Sequence, residues 1–338
     1  MKKILVALLV LIVLAVAGVG GAFWYMQKAV TTPHASAEAT PKEFVVKKGA
    51  SARSLGQQLE AQGFLDDARV WRFHLWRKGS LNVKAGRFML SPTASVEQLA
   101  TALEGAPLPE DVPFVMIEGW RLRDTDQVLA AQGLIKPGEY IAAASRPERF
   151  TAPFPLPTRG LEGYLYPETY GIVVEGFRVE AFIQRQLDTF RARFYDAHRE
   201  EIAKSGRSLH DIIVMASMLE REEPMPSQRA LVAGILWKRV DKGFALGVDA
   251  TSRYELAEWN DRKAFLKKLR DKSDPWNSRS RLGLPPGPIG APTVDSLVAA
   301  LRPVKSDFWY YLHDAQKILR PSRNAQEHEA LRAKYNVY

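Results

Sequence analysis

The pattern of apolar and polar positions changes along the chain and predicts three kinds of segment. Residues 4–26 contain no charged side chain. A run of this length is long enough for a helix to cross a bilayer. Residues 43–110 mix short apolar runs with amphipathic stretches, and helical periodicity dominates the chain beyond residue 180. The predicted fold is therefore α+β behind an N-terminal transmembrane helix.

The flanks of the first apolar segment indicate an uncleaved anchor over residues 1–27. Lys2 and Lys3 precede it, and positive residues favour the cytoplasmic side of a membrane. Trp24 and Tyr25 lie at its far end, where aromatic side chains prefer the membrane interface. A cleaved signal peptide is the alternative, but the run is longer than the usual apolar core of such a peptide. We therefore expect the rest of the chain to lie outside the cytoplasm.

The segment after the anchor is expected to contain a tether and a small module. Residues 28–42 are small, polar and proline-containing, which predicts a flexible tether. Residues 43–110 predict a compact α+β module that starts with a strand at residues 44–46. Ser51 is the expected start of an amphipathic helix. A second helix, a strand at Gly86–Leu90 and a third helix complete the module.

Residues 111–338 are expected to form a larger, mixed and largely helical domain. It begins with an apolar strand near Val112. Ser208 is the expected cap of a helix that is apolar on nearly every side and must stop before Pro224, because proline cannot continue a helix. Ser227 is expected to cap the helix that follows.

Composition narrows the chemistry. The chain has no cysteine, which excludes disulfides, thiolate catalysis and cysteine-ligated metal centres. Its six histidines are scattered without metal-ligand spacing, and it has no P-loop and no dinucleotide-binding GxGxxG after a strand, so we expect neither a metal nor an organic cofactor. The formal net charge of +9 suits an acidic partner such as nucleic acid, anionic lipid or the bacterial wall. A location outside the cytoplasm argues against nucleic acid.

Three carboxylates follow the predicted apolar helix, at Glu220, Glu222 and Glu223. Burial and the negative end of the helix dipole both disfavour an ionised carboxylate there, which suits a general acid. The residues one helical turn before Glu220 are small, whereas those before Glu222 are bulky. We therefore expect room for a ligand beneath Glu220, which is the predicted catalytic acid, with Glu222 in a supporting role.

Salt bridges are the competing interpretation of this cluster. Arg221, Arg229 and Arg239 are close in sequence, and each could neutralise one of the glutamates in a purely structural role. The sequence leaves the two interpretations open.

Three further stretches, at residues 161–170, 246–256 and 276–292, combine aromatic or polar side chains with turn residues. Interleaved aromatics and carboxylates are typical of a carbohydrate-binding wall, although each stretch could equally be a structural loop. The predicted substrate-binding residues in these stretches are Tyr164, Tyr166, Glu168, Asp249, Thr251, Asn277 and Ser278.

Four motifs, EGYLYPETY, MLEREE, VDAT and GLPPGPI, occur in the order seen in the membrane-anchored endolytic murein transglycosylases, the YceG-like family. The resemblance covers nearly the whole chain, and residues 43–110 resemble that family's LysM-like subdomain. It implies that the catalytic acid is the first glutamate of a Glu-x-Glu pair, which is Glu220 here. The chain departs from the family's usual residues at Glu223, Pro224, Ala250, Trp276 and Arg279.

The resemblance implies an inner-membrane enzyme that cleaves peptidoglycan strands between MurNAc and GlcNAc without water. Glu220 would protonate the glycosidic oxygen and then accept the proton of the MurNAc 6-hydroxyl, which leaves a 1,6-anhydro end. One carboxyl group serves twice, so no second carboxylate at glycosidase spacing is needed. The implied partners are the glycan strands, the inner membrane and a glycan-polymerising synthase.

Two other functions stay open from the sequence. A hydrolytic muramidase would use Glu223 or Asp249 as its second carboxylate and would leave a reducing end. A non-catalytic scaffold would bind the wall through the front module and release no fragments.

Overall fold

Two separate apolar cores organise the chain in the computed structural model, which describes residues 2–34, 40–79, 81–109 and 111–337. The chain divides into two units, Met1–Asp111 and Val112–Tyr338. Both units combine helices with short antiparallel strand pairs, so the fold is mixed α+β as predicted.

Helix α1, Lys2–Thr31, is long and apolar enough to cross a membrane. It continues past the predicted end of the anchor at residue 27 because Val30 is buried against its own unit, with 3% of its surface exposed. His34 then lies 2.8 Å from the carbonyl oxygen of Pro92 through Nδ1 and 3.0 Å from Asp66 through Nε2. Residues 28–31 therefore belong to α1 rather than to a flexible tether, and residues 35–39 lie outside the described part of the chain.

The rest of the first unit has the predicted order of strand, two helices, strand and helix. Strands β1, Lys42–Val46, and β2, Gly86–Leu90, pair antiparallel with Phe44 opposite Phe88. The helices are α2, Ala52–Ala61, α3, Ala68–Lys78, and α4, Val96–Glu104. Ser51 caps α2 by accepting a hydrogen bond from the Ser54 N–H, as expected for a serine at this position.

The second unit contains most of the helices. They are α5, Leu122–Ala131; α6, Glu139–Ala144; α7, Val179–Phe190; α8, Asp196–Lys204; α9, Leu209–Glu222; α10, Pro226–Asp241; α11, Arg262–Arg270; α12, Val294–Leu301; and α13, Ala325–Tyr335. Its strands are β3, Val112–Val115; β4, Thr169–Ile172; β5, Tyr310–His313; and β6, Leu319–Ser322. Strand β3 pairs antiparallel with β4, and β5 pairs antiparallel with β6.

Helix α9 lies at the centre of the second core. Every residue from Ile212 to Leu219 is at most 1% exposed, as the all-round apolar pattern predicts. Ser208 caps its first turn by accepting a hydrogen bond from the Asp211 N–H at 3.0 Å. Helix α12 packs against both α9 and α10.

The start of α10 differs from the prediction. Met225 is its N-cap and Pro226 its first residue, so Ser227 lies inside the first turn rather than capping it. Proline is well suited to this place because the first N–H of a helix has no intrahelical partner.

Helix α10 approaches the segment that follows α12 so closely that we expect a Gly→Ala substitution there to destabilise the protein. A Cβ added at Gly234 would lie 1.8 Å from the carbonyl oxygen of Val304. Gly→Ala inside a helix usually stabilises by about 1 kcal/mol. We expect Gly234→Ala instead to lower the free energy of unfolding by about 2–3 kcal/mol, because backbone must move. Urea unfolding of the detergent-solubilised protein measures this.

The control is Ser227→Ala on the same helix, where the side chain is exposed and caps nothing. We expect it to change the free energy of unfolding by less than about 0.5 kcal/mol. Equal effects of the two substitutions would contradict the steric explanation.

Candidate active site

The end of helix α9 carries four consecutive charged residues, 220–223, with different surroundings. Because an α-helix completes a turn every 3.6 residues, neighbouring side chains leave it in different directions. Each of the four meets a separate part of the second unit. Residues that look alike in the sequence therefore have different surroundings in the structure.

Glu220 is held as a buried hydrogen-bond acceptor. Its Oε2 accepts hydrogen bonds from the Thr293 N–H at 2.8 Å and from the Thr293 hydroxyl at 2.6 Å. Its Oε1 lies 3.0 Å from Arg229 Nη2, and both side chains are 7% exposed. All of these partners are donors, which engages the carboxyl oxygens as acceptors.

The space beneath Glu220 is filled by protein, contrary to the expectation of room for a ligand. One turn earlier, Ser217 accepts a hydrogen bond from the Ile289 N–H at 3.0 Å. The small residues on this face therefore admit the segment that leads into α12. The ion pair with Arg229 is the structural interpretation that the sequence left open, whereas the catalytic role of Glu220 stays a prediction.

Arg229 connects three helices through this pair. It is 6% exposed, and its Nε donates to the carbonyl oxygen of Glu223 at 2.9 Å. Its Nη1 donates to the hydroxyls of Ser296 at 2.9 Å and Thr293 at 3.1 Å. The guanidinium thereby links α10 to the end of α9 and the start of α12.

Glu222 has the properties of a proton donor. Its Oε1 accepts a hydrogen bond from the Ala250 N–H at 3.2 Å, and the Tyr311 hydroxyl donates to its Oε2 at 3.5 Å. The residue as a whole is intermediate in burial. Burial of the carboxyl group raises its pKa from 4.5 to about 7, and the charge of Asp249 adds to this rise. Near neutral pH this group can therefore both donate and accept a proton.

Glu223 is fully buried and pairs with His313 on β5, whose side chain is 22% exposed. Its Oε2 lies 2.9 Å from His313 Nε2, and its Oε1 accepts a hydrogen bond from the Met225 N–H at 2.8 Å. Glu223 is 0% exposed. The hydrogen bond to Glu223 raises the pKa of His313 above its ordinary value. A positive charge on His313 lowers the pKa of Glu222, whereas burial raises it.

Asp249 is the predicted binding residue that the structure brings to Glu222. It precedes Ala250, whose N–H binds Glu222, and its own Oδ1 accepts hydrogen bonds from Arg279 Nε at 2.8 Å and Nη2 at 2.7 Å. The Asp249 side chain is 41% exposed. This places an accessible carboxylate beside the candidate acid.

The other three predicted residues of these loops hold the loops together. The hydroxyl of buried Thr251 donates to the Val248 carbonyl oxygen at 2.8 Å, and Ser278 accepts a hydrogen bond from the Val248 N–H at 2.9 Å. Asn277 is 0% exposed, and its Nδ2 donates to the carbonyl oxygen of Asp271 at 2.9 Å. Thr251 and Ser278 thus shape the loop that carries Asp249, whereas Asn277 ties its own loop to the end of α11.

The predicted carbohydrate-binding wall of residues 161–170 is instead part of the core. Tyr164 is 1% exposed and its hydroxyl lies 2.9 Å from His210 Nδ1, while Tyr166 is 9% exposed. Glu168 accepts a hydrogen bond from Arg193 Nε at 3.0 Å. The aromatic rings of this stretch are turned inward because they fill the apolar interior around α7 and α9.

Glu162 is a titratable group that the sequence prediction did not single out, although it lies within EGYLYPETY. It accepts hydrogen bonds from the Leu122 N–H at 3.2 Å and from the Tyr254 hydroxyl at 3.0 Å. Burial raises its pKa to about 7. Tyr311 and His313 were also missed, because no local motif marks residues that lie some 90 positions from their partners. Among the described residues, no group of three or more potential ligands is arranged to hold a metal ion.

A match to a family model shows how this chain is related to known proteins. The model of the YceG-like family matches residues 44–334. The chain belongs to the YceG-like family. The matched range contains the end of α9 and the stretches at residues 246–256 and 276–292.

Individual relatives of this YceG-like chain agree with the family match. The endolytic murein transglycosylase of Bacillus subtilis (strain 168) is 23% identical over 330 residues, which is 94% of this chain and 91% of the relative. The protein of that name from Streptococcus pneumoniae serotype 2 is 25% identical over 90% of this chain, which corresponds to 60% of the relative. The crystal structure of a yceG-like protein from Listeria monocytogenes covers 87% of this chain and 100% of its own, with a TM-score of 0.58 and 26% identity.

The buried ion pair of this YceG-like chain predicts a stability role for Glu220. We expect Glu220→Gln to lower the free energy of unfolding by about 3 kcal/mol, because it leaves the Arg229 charge buried without a carboxylate. The matched control is Glu168→Gln, whose exposed pair with Arg193 should contribute less than about 1 kcal/mol. Urea unfolding compares them, and equal losses would contradict the structural role.

The raised pKa of Glu222 predicts a pH-dependent stability. The folded chain keeps this proton between pH 4.5 and about 7, whereas the unfolded chain loses it. The contribution of Glu222 is therefore fully present below pH 4.5 and lost as the pH rises through 7. We expect the free energy of unfolding of Glu222→Gln, relative to the unsubstituted chain, to rise by about 2–3 kcal/mol over this range. A pH-independent difference would argue against the shift.

Proposed function

We propose that this chain is an endolytic lytic transglycosylase, which cleaves peptidoglycan strands between MurNAc and GlcNAc and leaves 1,6-anhydroMurNAc ends. Two lines of support meet at the end of α9. The relatives of the chain from Bacillus subtilis and Streptococcus pneumoniae are named endolytic murein transglycosylases. Glu222 supplies the single observation that carries the chemistry, a carboxyl group whose burial raises its pKa to about 7.

Glu222 acts first as an acid and then as a base. Its protonated form donates to the glycosidic oxygen while positive charge develops on the anomeric carbon of MurNAc. The resulting carboxylate accepts the proton of the MurNAc 6-hydroxyl as that oxygen bonds to the anomeric carbon. The proton is returned to Glu222, and no water enters the reaction. Asp249 places negative charge beside the developing positive centre.

The assignment moves the acid from Glu220 to Glu222. A catalytic acid must exchange its proton with the substrate, and Glu220 is surrounded by Arg229 and Thr293 as donors. The hydrogen bonds of Glu222 are longer, and they come from a backbone N–H and a tyrosine hydroxyl rather than from a guanidinium. Glu220 and Glu222 are two positions apart, and the family resemblance points to Glu220, so the assignment to Glu222 rests on the surroundings of the two carboxyl groups alone.

A hydrolytic muramidase is less well supported. Glu223 is fully buried and both of its carboxyl oxygens are engaged, which leaves no position for an attacking water. Asp249 is accessible but paired with Arg279. The names of the relatives also favour the lyase over a hydrolase or a wall-binding scaffold.

Helix α1 serves as a single-pass anchor in the inner membrane, with the N-terminus in the cytoplasm and the remainder in the periplasm. Its length and apolar surface support this placement. The β1–α2–α3–β2 arrangement supports a LysM-like glycan-binding module at residues 43–110. Action near the membrane places the enzyme beside glycan-polymerising synthases, where cleavage limits the length of nascent strands.

The decisive experiment incubates the detergent-solubilised protein with isolated murein sacculi and identifies the soluble products by mass spectrometry. We expect anhydro-ended fragments, which lack one water relative to reducing ends. Glu222→Gln should lower their release by about 10³-fold, because the proton source is lost while the shape is retained. The rate of the unsubstituted enzyme should fall as the pH rises above about 7.

Glu220→Gln is the comparison variant, assayed at a temperature at which it remains folded. We expect it to retain a substantial part of the activity. Loss of all activity in this variant, together with retention in Glu222→Gln, would return the catalytic role to Glu220. Reducing-end products would replace the lyase with the muramidase.

A further inference from the structure

A groove of about 590 Å³ lies on the second unit beside Arg221. Its walls come from α5, from Trp120 just before that helix, and from Trp259 and Asn260. A volume of this size is within the range of small-molecule binding sites. The groove does not include Glu222 or its partners, because Arg221 leaves the helix end in a different direction.

Arg221 is a partly buried cation that forms no ion pair among the described residues, although the more distant carboxylates of Asp124, Glu220 and Glu162 favour its charge. Its guanidinium lies 3.9 Å from the centre of the Trp259 ring, and its Nε is buried without a hydrogen-bond partner within the described ranges. Burial lowers its pKa below the ordinary value. The nearby carboxylate of Asp124 is already bound by Arg121, through Nη2 at 2.8 Å and Nε at 2.9 Å. A buried cation left in this state is costly unless an anion joins it.

The backbone beneath Arg221 holds the guanidinium in place. Gly119 has a φ of +71°, and an added Cβ would lie 2.9 Å from Arg221 Nε. Its N–H donates to the carbonyl oxygen of Ala291 at 2.7 Å, and the Ala291 N–H donates to the carbonyl oxygen of Trp120 at 2.8 Å. These bonds fix the positions of Gly119 and Trp120, so the cation and one aromatic wall are in place before a ligand arrives.

The chemistry of the walls identifies the class of ligand. Partly exposed Trp120 and Trp259 offer ring surface to the apolar faces of sugars. Gln127 and Asn260 are exposed amides that can bind hydroxyl groups. The guanidinium of Arg221 suits a carboxylate. A sugar that carries a carboxylate satisfies all three features.

We propose that this groove is a subsite for a carboxylate-bearing part of the peptidoglycan strand, bound through Arg221. The inference rests on the proposed function, since that function supplies the strand. Two sources share this chemistry, the lactyl carboxylate of MurNAc in a naked strand and a carboxylate of the stem peptide. Chito-oligosaccharides contain the sugar rings without any carboxylate and are therefore the matched ligand control.

The test measures binding to the detergent-solubilised full chain carrying Glu222→Gln, so that cleavage does not interfere. Isothermal titration is performed with naked glycan strands, peptide-bearing strands and chito-oligosaccharides. Arg221→Gln should weaken binding of at least one carboxylate-bearing strand by about 10- to 100-fold, the usual range for a lost charge-assisted hydrogen bond. It should change chito-oligosaccharide binding by less than about twofold. The strand that shows the loss identifies the source of the carboxylate.

Two further variants keep the result interpretable. Arg262→Gln removes the same charge from an exposed position on α11 and should leave all affinities within about twofold. Ala131→Trp fills the groove from its exposed rim without altering Arg221 and should also abolish the carboxylate-dependent binding. Thermal unfolding of each variant checks that it is folded.

Unchanged strand binding in both folded Arg221→Gln and Ala131→Trp would overturn the subsite. An equal loss of chito-oligosaccharide binding in Arg221→Gln would also overturn it, because the carboxylate would then be irrelevant. The outcome is separate from that of the proposed function. A chain that binds strands through Arg221 but releases no anhydro products retains the subsite and loses the activity, and the converse result retains only the activity.

Discussion

The buried ion pair between Glu220 and Arg229 is the interaction on which the arrangement of the second unit depends. It joins the end of α9 to α10, and the hydrogen bonds to Thr293 bring the start of α12 to the same point. A paired charge in the interior is tolerated only when its remaining donors and acceptors are also satisfied. Here the carboxylate and the guanidinium share Thr293, so the three helix ends are held in one relative position.

Because the end of α9 is held in place, the residues next to Glu220 point to different parts of the second unit. Glu222 is directed to the loop that contains Asp249 and to Tyr311 on β5. Arg221 is directed to Trp259 and to the groove beside α5. The anchoring residue Glu220 and the proposed acid Glu222 are therefore only two positions apart in the sequence. The rigidity of the first supports the positioning of the second.

The sequence predicted the elements well and the roles of individual side chains less well. The caps at Ser51 and Ser208 and the all-round apolar helix α9 follow from local rules, and the structure contains them. The choice of Glu220 used only residues one turn away on the same helix. The segment that fills that face comes from residue 289, more than 70 positions later. Likewise, an aromatic residue such as Tyr164 gives the same sequence signal whether it lines a groove or fills a core. Only its packing in the structure separates these cases.

The hairpin of β5 and β6 completes the surroundings of Glu222 with residues from near the end of the chain. Tyr311 and His313 are made by the ribosome about 90 residues after the glutamate that they accompany. During synthesis, the chain therefore contains Glu222 long before it contains the residues of β5 that surround it. A chain that ended before β5 would therefore carry Glu222 without its hydrogen bond from Tyr311, and Glu223 without its partner His313.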